Sequence, residues 1–190
     1  MNAFLPGKNI STLVSKKGNK ATIRYLKRED LDNLTEYINK ISAEDTYINF
    51  SGEKISKKEE SEFLTNVFKD IKSGDRVVLA VFSNGKPIGV CEVNRDKKGK
   101  KRTWHRGVFG ITIAKEFRRE GIGEALTRKT IKEAAKRIKG LKMIILNVYG
   151  KNLKAQNLYK KIGFKECGRL KKGLLYKGKY IDDIKMYKEL

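Results

Sequence analysis

The chain has 190 residues, 39% hydrophobic and 35% charged, enough for one folded domain with a sizeable core and too apolar for a disordered tail. Its 44 Lys and Arg residues against 22 Asp and Glu leave a formal net charge of +22, which suits an anionic partner such as nucleic acid, a ribosome, a membrane surface or a phosphorylated cofactor. No apolar run reaches the roughly 20 residues of a membrane span, and the start has no apolar signal segment, so no membrane role and a cytoplasmic setting are expected. A Lys/Glu-rich surface also fits a thermophilic lifestyle. The cations are spread along the chain rather than gathered, so the charge alone selects no partner, and nucleic acid stays an unfavoured alternative. Cys91 and Cys167 are the only cysteines. Two isolated residues make no metal-ligand spacing, so reduced thiols buried in strands and no metal are expected.

In chain order, residues 10–14 and 21–26 read as strands around Gly18-Asn19, a hairpin at a sheet edge. Leu31, Leu34, Ile38 and Ile41 recur at helical spacing after Arg28-Glu29-Asp30. Residues 42–55 are polar and mixed, a loop or short helical turns. Ser56 with Glu59 and Glu60 is a capping-box pattern for a helix running to Gly74. Residues 77–82 and 87–93 are strand-like on either side of Asn84-Gly85, the dipeptide a tight hairpin prefers.

The stretch 95–102 is a basic loop, either a local anion contact or a solvated hairpin tip, before a strand at 104–114. A helix follows from about residue 122 to 138, with Leu126, Thr127, Thr130, Ile131, Ala134 and Ile138 on one face. Residues 142–148 read as an interior strand. Residues 152–162 form a helix closed by Gly163, and 164–170 and 176–187 are the final strands. The fold class is α/β with a mixed sheet.

The chemistry gathers in two motifs. Residues 118–123, Arg118-Arg119-Glu120-Gly121-Ile122-Gly123, lie between a strand and a helix. Glycine there lets backbone amides approach an anion, and the helix dipole adds partial positive charge, worth about 0.3–1 kcal/mol per contact. The nucleotide-triphosphatase loop and the dinucleotide fingerprint are both absent. What stands instead is Arg118-x-x-Gly121-x-Gly123, followed by Asn152-x-x-Ala155-x-x-Leu158-Tyr159-x-x-x-Gly163-Phe164.

Together, in this order and with a strand between them, these motifs resemble the GNAT superfamily of N-acetyltransferases. The resemblance extends over roughly residues 21–190, including Arg24 and Gly89. It implies a single GNAT-like domain at 21–190 with a mixed, mostly antiparallel sheet flanked by helices, and residues 1–20 as an N-terminal extension or edge strand. It implies acetyl-CoA as acyl donor and a primary amine, small and polyamine-like or peptidic, attacking directly in a ternary complex. Ile111 and Ile113 would pair with the pantetheine arm through their backbone, one amide there polarising the thioester carbonyl. Amides from Arg119 through Ala125, with Gly121, Ile122, Gly123 and Glu124 between them, would hold the pyrophosphate, and Arg118 would be a further cofactor-binding residue. Asn152 would contact the CoA arm and Lys161 the adenosine end. A homodimer would be unsurprising for the family.

Tyr159 lies seven residues after Asn152, on the same helix face, and is the candidate general acid for the departing CoA thiolate, packing being its alternative role. Many relatives place a glutamate base where this chain has Val108. Glu92 is therefore the first candidate base, with His105 as second. Glu44, Asp45 and the acidic start of the helix after Ser56 lie where the family builds its acceptor site. The competing class is a non-catalytic acyl-CoA or nucleic-acid-binding module on the same fold.

Overall fold

The computed structural model describes residues 6–190, so the first five residues of the leading 1–20 segment lie outside the described residues. The elements are β1 (Asn9–Val14), β2 (Lys20–Tyr25), α1 (Leu31–Ala43), α2 (Lys57–Lys72), β3 (Arg76–Ser83), β4 (Lys86–Arg95), β5 (Arg106–Ile113), α3 (Ile122–Arg137), β6 (Met143–Tyr149), α4 (Leu153–Ile162), β7 (Lys165–Tyr176) and β8 (Lys179–Glu189). The strands hydrogen-bond in the order β1-β2-β3-β4-β5-β6-β8-β7. β5 and β6 run parallel, while the pairs on either side, β1–β2–β3–β4 and β6–β8–β7, are antiparallel. This is the mixed, mostly antiparallel α/β sheet the motifs implied, with the expected N-terminal hairpin at its edge.

Two compact units divide the chain. The first takes the residues up to Asn94 and Gly110–Lys139; the second takes Arg95–Phe109 and Gly140–Leu190. β5 therefore begins in the second unit and ends in the first.

In the first unit every residue of β3 is buried. Each fully buried Val or Leu there contributes about 1.5–3 kcal/mol, which makes this strand the centre of the core. Ile122 and Leu126 of α3 and Val67 of α2 are equally buried. Ser56 caps α2 as its sequence requires: its side chain accepts from the Glu59 amide, and Glu59 reaches back to the Ser56 amide at 2.8 Å. Asn84 (φ 49°) and Gly85 (φ 75°) make the expected left-handed turn between β3 and β4.

Gly89 on β4 is held to glycine by close approach. A Cβ there would collide with the Ile113 side chain and lie 3.0 Å from Val81 Cγ1 and 3.1 Å from the Thr112 carbonyl. Gly89→Ala is expected to lower stability by about 1–3 kcal/mol, read as an earlier midpoint in urea unfolding with an unchanged slope.

In the second unit Ile144, Leu146, Ile184 and Met186 form the sheet interior, and Tyr159 and Ile162 of α4 are buried with Phe109 and Phe164. Three expectations change here. β7 continues past residue 170 to Tyr176, absorbing Gly173 through a register shift between Leu170 and Leu174, and the chain reverses at Lys177-Gly178, where both φ angles are positive. Cys167 on β7 is exposed rather than strand-buried, and Cys91 alone is buried; both are free thiols. The strand expected from 104 begins at Arg106, because residues 100–103 form a short helical turn pinned by Thr103, whose hydroxyl donates to the Asp96 carbonyl at 2.8 Å.

Candidate active site

β5 delivers Gly110–Ile113 to the end of the first unit, and the chain then turns through residues 118–123 into α3. The turn needs left-handed backbone at Arg119 (φ 66°) and at Gly121 (φ 83°), the N-cap of α3. The first amides of a helix have no intrahelical acceptor, and no side chain caps α3. The amides of Ile122 and Gly123 thus head a helix dipole beside an exposed glycine, a fit for a diphosphate. Ala125 differs from expectation: its amide already donates to the Gly121 carbonyl at 3.1 Å, so it is not an open donor. Glu124 pairs through its side chain with Arg128 at 3.1 Å.

Arg118 also differs. Its Nε donates to the Ile113 carbonyl at 2.7 Å and its Nη2 to Glu44 Oε2 at 2.5 Å. The guanidinium therefore ties the end of β5 to the residue following α1 instead of offering its charge to a phosphate. The same bond occupies one lone pair of Ile113, leaving the backbone of Ile111 as the less committed of the two pantetheine-pairing candidates.

Sequence reasoning missed what braces this loop. Glu120 is buried, and its Oε2 accepts from Ser15 Oγ at 2.5 Å and Asn19 Nδ2 at 3.0 Å, while Lys17 Nζ lies 3.3 Å from Oε1. The Lys16 amide donates to the Glu120 carbonyl at 3.1 Å. The Ser15 hydrogen bond above all, then that from Asn19, holds the Glu120 carboxyl below the usual range. The turn of the β1–β2 hairpin is thus a clamp on the loop, with the stem of Lys16 about 4.0 Å from where a Gly121 Cβ would sit. Only the polar composition of residues 15–19 hinted at such a partner.

Glu92 lies across β5: a Cβ at Gly110 would be 3.8 Å from Glu92 Oε1. Its Oε2 accepts from Arg76 Nε at 3.0 Å and pairs closely with Arg76 Nη2. Both Arg76 contacts fall on the same oxygen, Oε2. Tyr37 of α1 donates to Thr112 Oγ1 at 2.9 Å, and burial raises its phenol pKa. Glu44 Oε1, beside this group, is buried and has no hydrogen-bond partner among the described residues. Asp45 follows in left-handed backbone (φ 40°). These are the residues the structure brings together in the first unit.

In the second unit Tyr159 is 8% exposed. Its ring meets Phe109 of β5 edge-on, 5.8 Å between centroids at 84°, and Phe164 at 5.8 Å and 59°. Asn152 is the N-cap of α4, its side-chain oxygen accepting from the Ala155 amide at 3.2 Å. Lys161 is exposed near the end of α4, and Val108 is 42% exposed. His105 is an exposed residue whose carbonyl accepts from the amides of Lys142 and Met143.

The chain matches the family described as "Acetyltransferase (GNAT) family" over residues 37–164. It is 31% identical over 155 residues to an N-alpha-acetyltransferase of Sulfurisphaera tokodaii, covering 80% of this chain and 84% of that protein. It is 32% identical over 148 residues to an uncharacterised N-acetyltransferase of Methanocaldococcus jannaschii, covering 76% of this chain and 61% of the longer relative. Its fold matches the crystal structure of a GNAT-family acetyltransferase from Streptococcus pneumoniae with a TM-score of 0.80 and 29% identity, covering 90% of this chain and 99% of that one.

Proposed function

The chain belongs to the acetyltransferase (GNAT) family, acetyl-CoA-dependent N-acetyltransferases, and on that footing we propose that it acetylates the α-amine at the N-terminus of a polypeptide. The observation that carries this reading is the orphaned Glu44 Oε1, a buried acceptor beside the end of β5. A buried carboxylate oxygen without a partner costs about 1–3 kcal/mol or more, and a cationic amine relieves that cost.

The amine's own acidity narrows the class. A lysine side chain of pKa about 10.4 costs roughly 4.6 kcal/mol to deprotonate at pH 7, whereas an α-amine of pKa about 7.7–8.0 costs only about 1–1.4 kcal/mol. With Glu92 engaged by Arg76, an acceptor that needs little help losing its proton suits the site. The N-alpha-acetyltransferase of Sulfurisphaera tokodaii is a relative whose name points the same way.

Direct attack is favoured over an acyl-enzyme. Burial raises the Cys91 thiol pKa, which disfavours the thiolate an acyl-cysteine would need. In our reading the amine nitrogen bonds to the acetyl carbon, the carbon–sulfur bond breaks, and Tyr159 protonates the leaving sulfur. The amine's surplus proton passes to Glu92 or solvent. The two free thiols support a reducing, cytoplasmic setting.

The test is acetyl-CoA turnover, read as free thiol, with peptides bearing a free N-terminus, the same peptides N-blocked with an internal lysine, polyamines and aminoglycosides. Turnover confined to free N-termini is expected; faster turnover of polyamine or blocked peptide overturns the reading. Glu44→Gln keeps an acceptor toward Arg118 and removes the charge. It should lower kcat/KM for peptide by about tenfold, with acetyl-CoA affinity unchanged.

A further inference from the structure

Read along the chain, the positive charge is dispersed; read on the fold, it is concentrated. The second unit holds 66 residues, with 20 of the 44 Lys and Arg but only 5 of the 22 Asp and Glu, so it carries +15 of the net +22. An ion-pair surface of the thermophilic kind needs both signs in register, and here one sign is nearly missing.

The excess is sharpest between Arg95 and Arg106, where seven cations meet one acid, Asp96. Asp96 is 5% exposed and turned inward, accepting from Arg106 at 2.6 Å and from the Lys98 amide at 3.1 Å. Lys98, Lys100, Lys101 and Arg102 are exposed; Lys98 acts on the inward-turned Asp96, and the other three have no acidic partner among the described residues. The loop is built rather than slack: Thr103 Oγ1 accepts from the Gly99 amide at 3.1 Å, and Arg95 Nη1 holds the Trp104 carbonyl at 2.5 Å. Trp104, the only tryptophan of the chain, is 43% exposed beside these cations.

We propose that this loop is a docking site for single-stranded RNA, with Lys98, Lys100, Lys101 and Arg102 on phosphates and the Trp104 indole stacked on a base. Cations tracking a phosphate backbone next to an exposed aromatic face are the elements of sequence-tolerant single-strand binding. An anionic membrane would call for a broad apolar face or a basic amphipathic helix, and the loop offers one ring. A duplex keeps its bases stacked, whereas RNA loops present them splayed and accessible. The proposal is independent of the acceptor assigned above.

The experiment measures binding of a fluorescein-labelled mixed-sequence 20-nucleotide RNA to the full chain by anisotropy across a salt series. Four phosphate contacts on a single strand predict a slope of log affinity against log salt near −3 from this loop. Replacing Lys98, Lys100, Lys101 and Arg102 with glutamine should remove most of that slope and weaken binding at least tenfold. Trp104→Ala should weaken it roughly 5- to 150-fold with the slope unchanged. The control neutralises Lys129, Lys132 and Lys136 on α3; an equal loss there would mean undirected charge attraction and overturns the proposal. Equal binding of duplex DNA, phosphatidylserine vesicles or polyglutamate, insensitive to Trp104→Ala, overturns it as well. The glutamine variant should also keep its Michaelis constant for acetyl-CoA; a severalfold rise would place the loop at the donor site and not at an RNA.

Discussion

Tyr159→Phe is expected to turn over about 10²–10⁴-fold more slowly than the native chain with the best acceptor, while its acetyl-CoA dissociation constant moves by less than about threefold. The substitution is clean because the ring is what packs. Phe109 and Phe164 both contact it through aromatic edges and faces, and phenylalanine reproduces those contacts. The hydroxyl alone is removed, costing no more than about 1.5 kcal/mol of stability. A phenol with a reference pKa near 10 suits donation to a thiolate whose thiol has a pKa near 8.5, and that donation matters only as the carbon–sulfur bond breaks. Steady-state kinetics and calorimetry on the same folded variant decide the matter. Native turnover would make Tyr159 a packing residue, with solvent or the acceptor supplying the proton.

Gly121→Asp is expected to weaken acetyl-CoA binding at least tenfold, a loss of about 1.4 kcal/mol, measured by calorimetry. Gly121 has φ 83°, a region that aspartate and asparagine enter more readily than other side chains. A Cβ there would touch only the Lys16 stem, at about 4.0 Å, so the variant has room to fold. Its carboxylate would stand before the open amides of α3, where the proposed pyrophosphate would lie. Gly121→Asn, the same size without charge, should lose clearly less. Unchanged affinity in folded Gly121→Asp would remove the loop from the donor site.

What the sequence made legible was local. Ser56 and Glu59 are three residues apart and Asn84-Gly85 are adjacent, so capping box and turn could be read where they stand. The 118–123 and 152–164 motifs were legible for the same reason. The Glu44–Arg118 pair joins residues 74 positions apart, and only the topology of α1 and β5 brings them together. The strand expected at 164–170 runs on to Tyr176 because the irregularity between Leu170 and Leu174 is set by pairing with β8, which no window around residue 173 contains. The charge of the second unit escaped notice because that unit is assembled from two separated stretches, 95–109 and 140–190.

The clamp of the β1–β2 turn on Glu120 sets an order of events during synthesis. Ser15 and Glu120 lie 105 positions apart, so at about 5–20 residues per second the hairpin emerges many seconds before its acid does. The hairpin is a local structure and closes quickly, whereas the bond to Glu120 spans a long loop and forms late. A nascent chain arrested after β5 has the hairpin but lacks the carboxylate it grips. The loop of residues 118–123 takes its shape as a late step of folding, onto a turn already made.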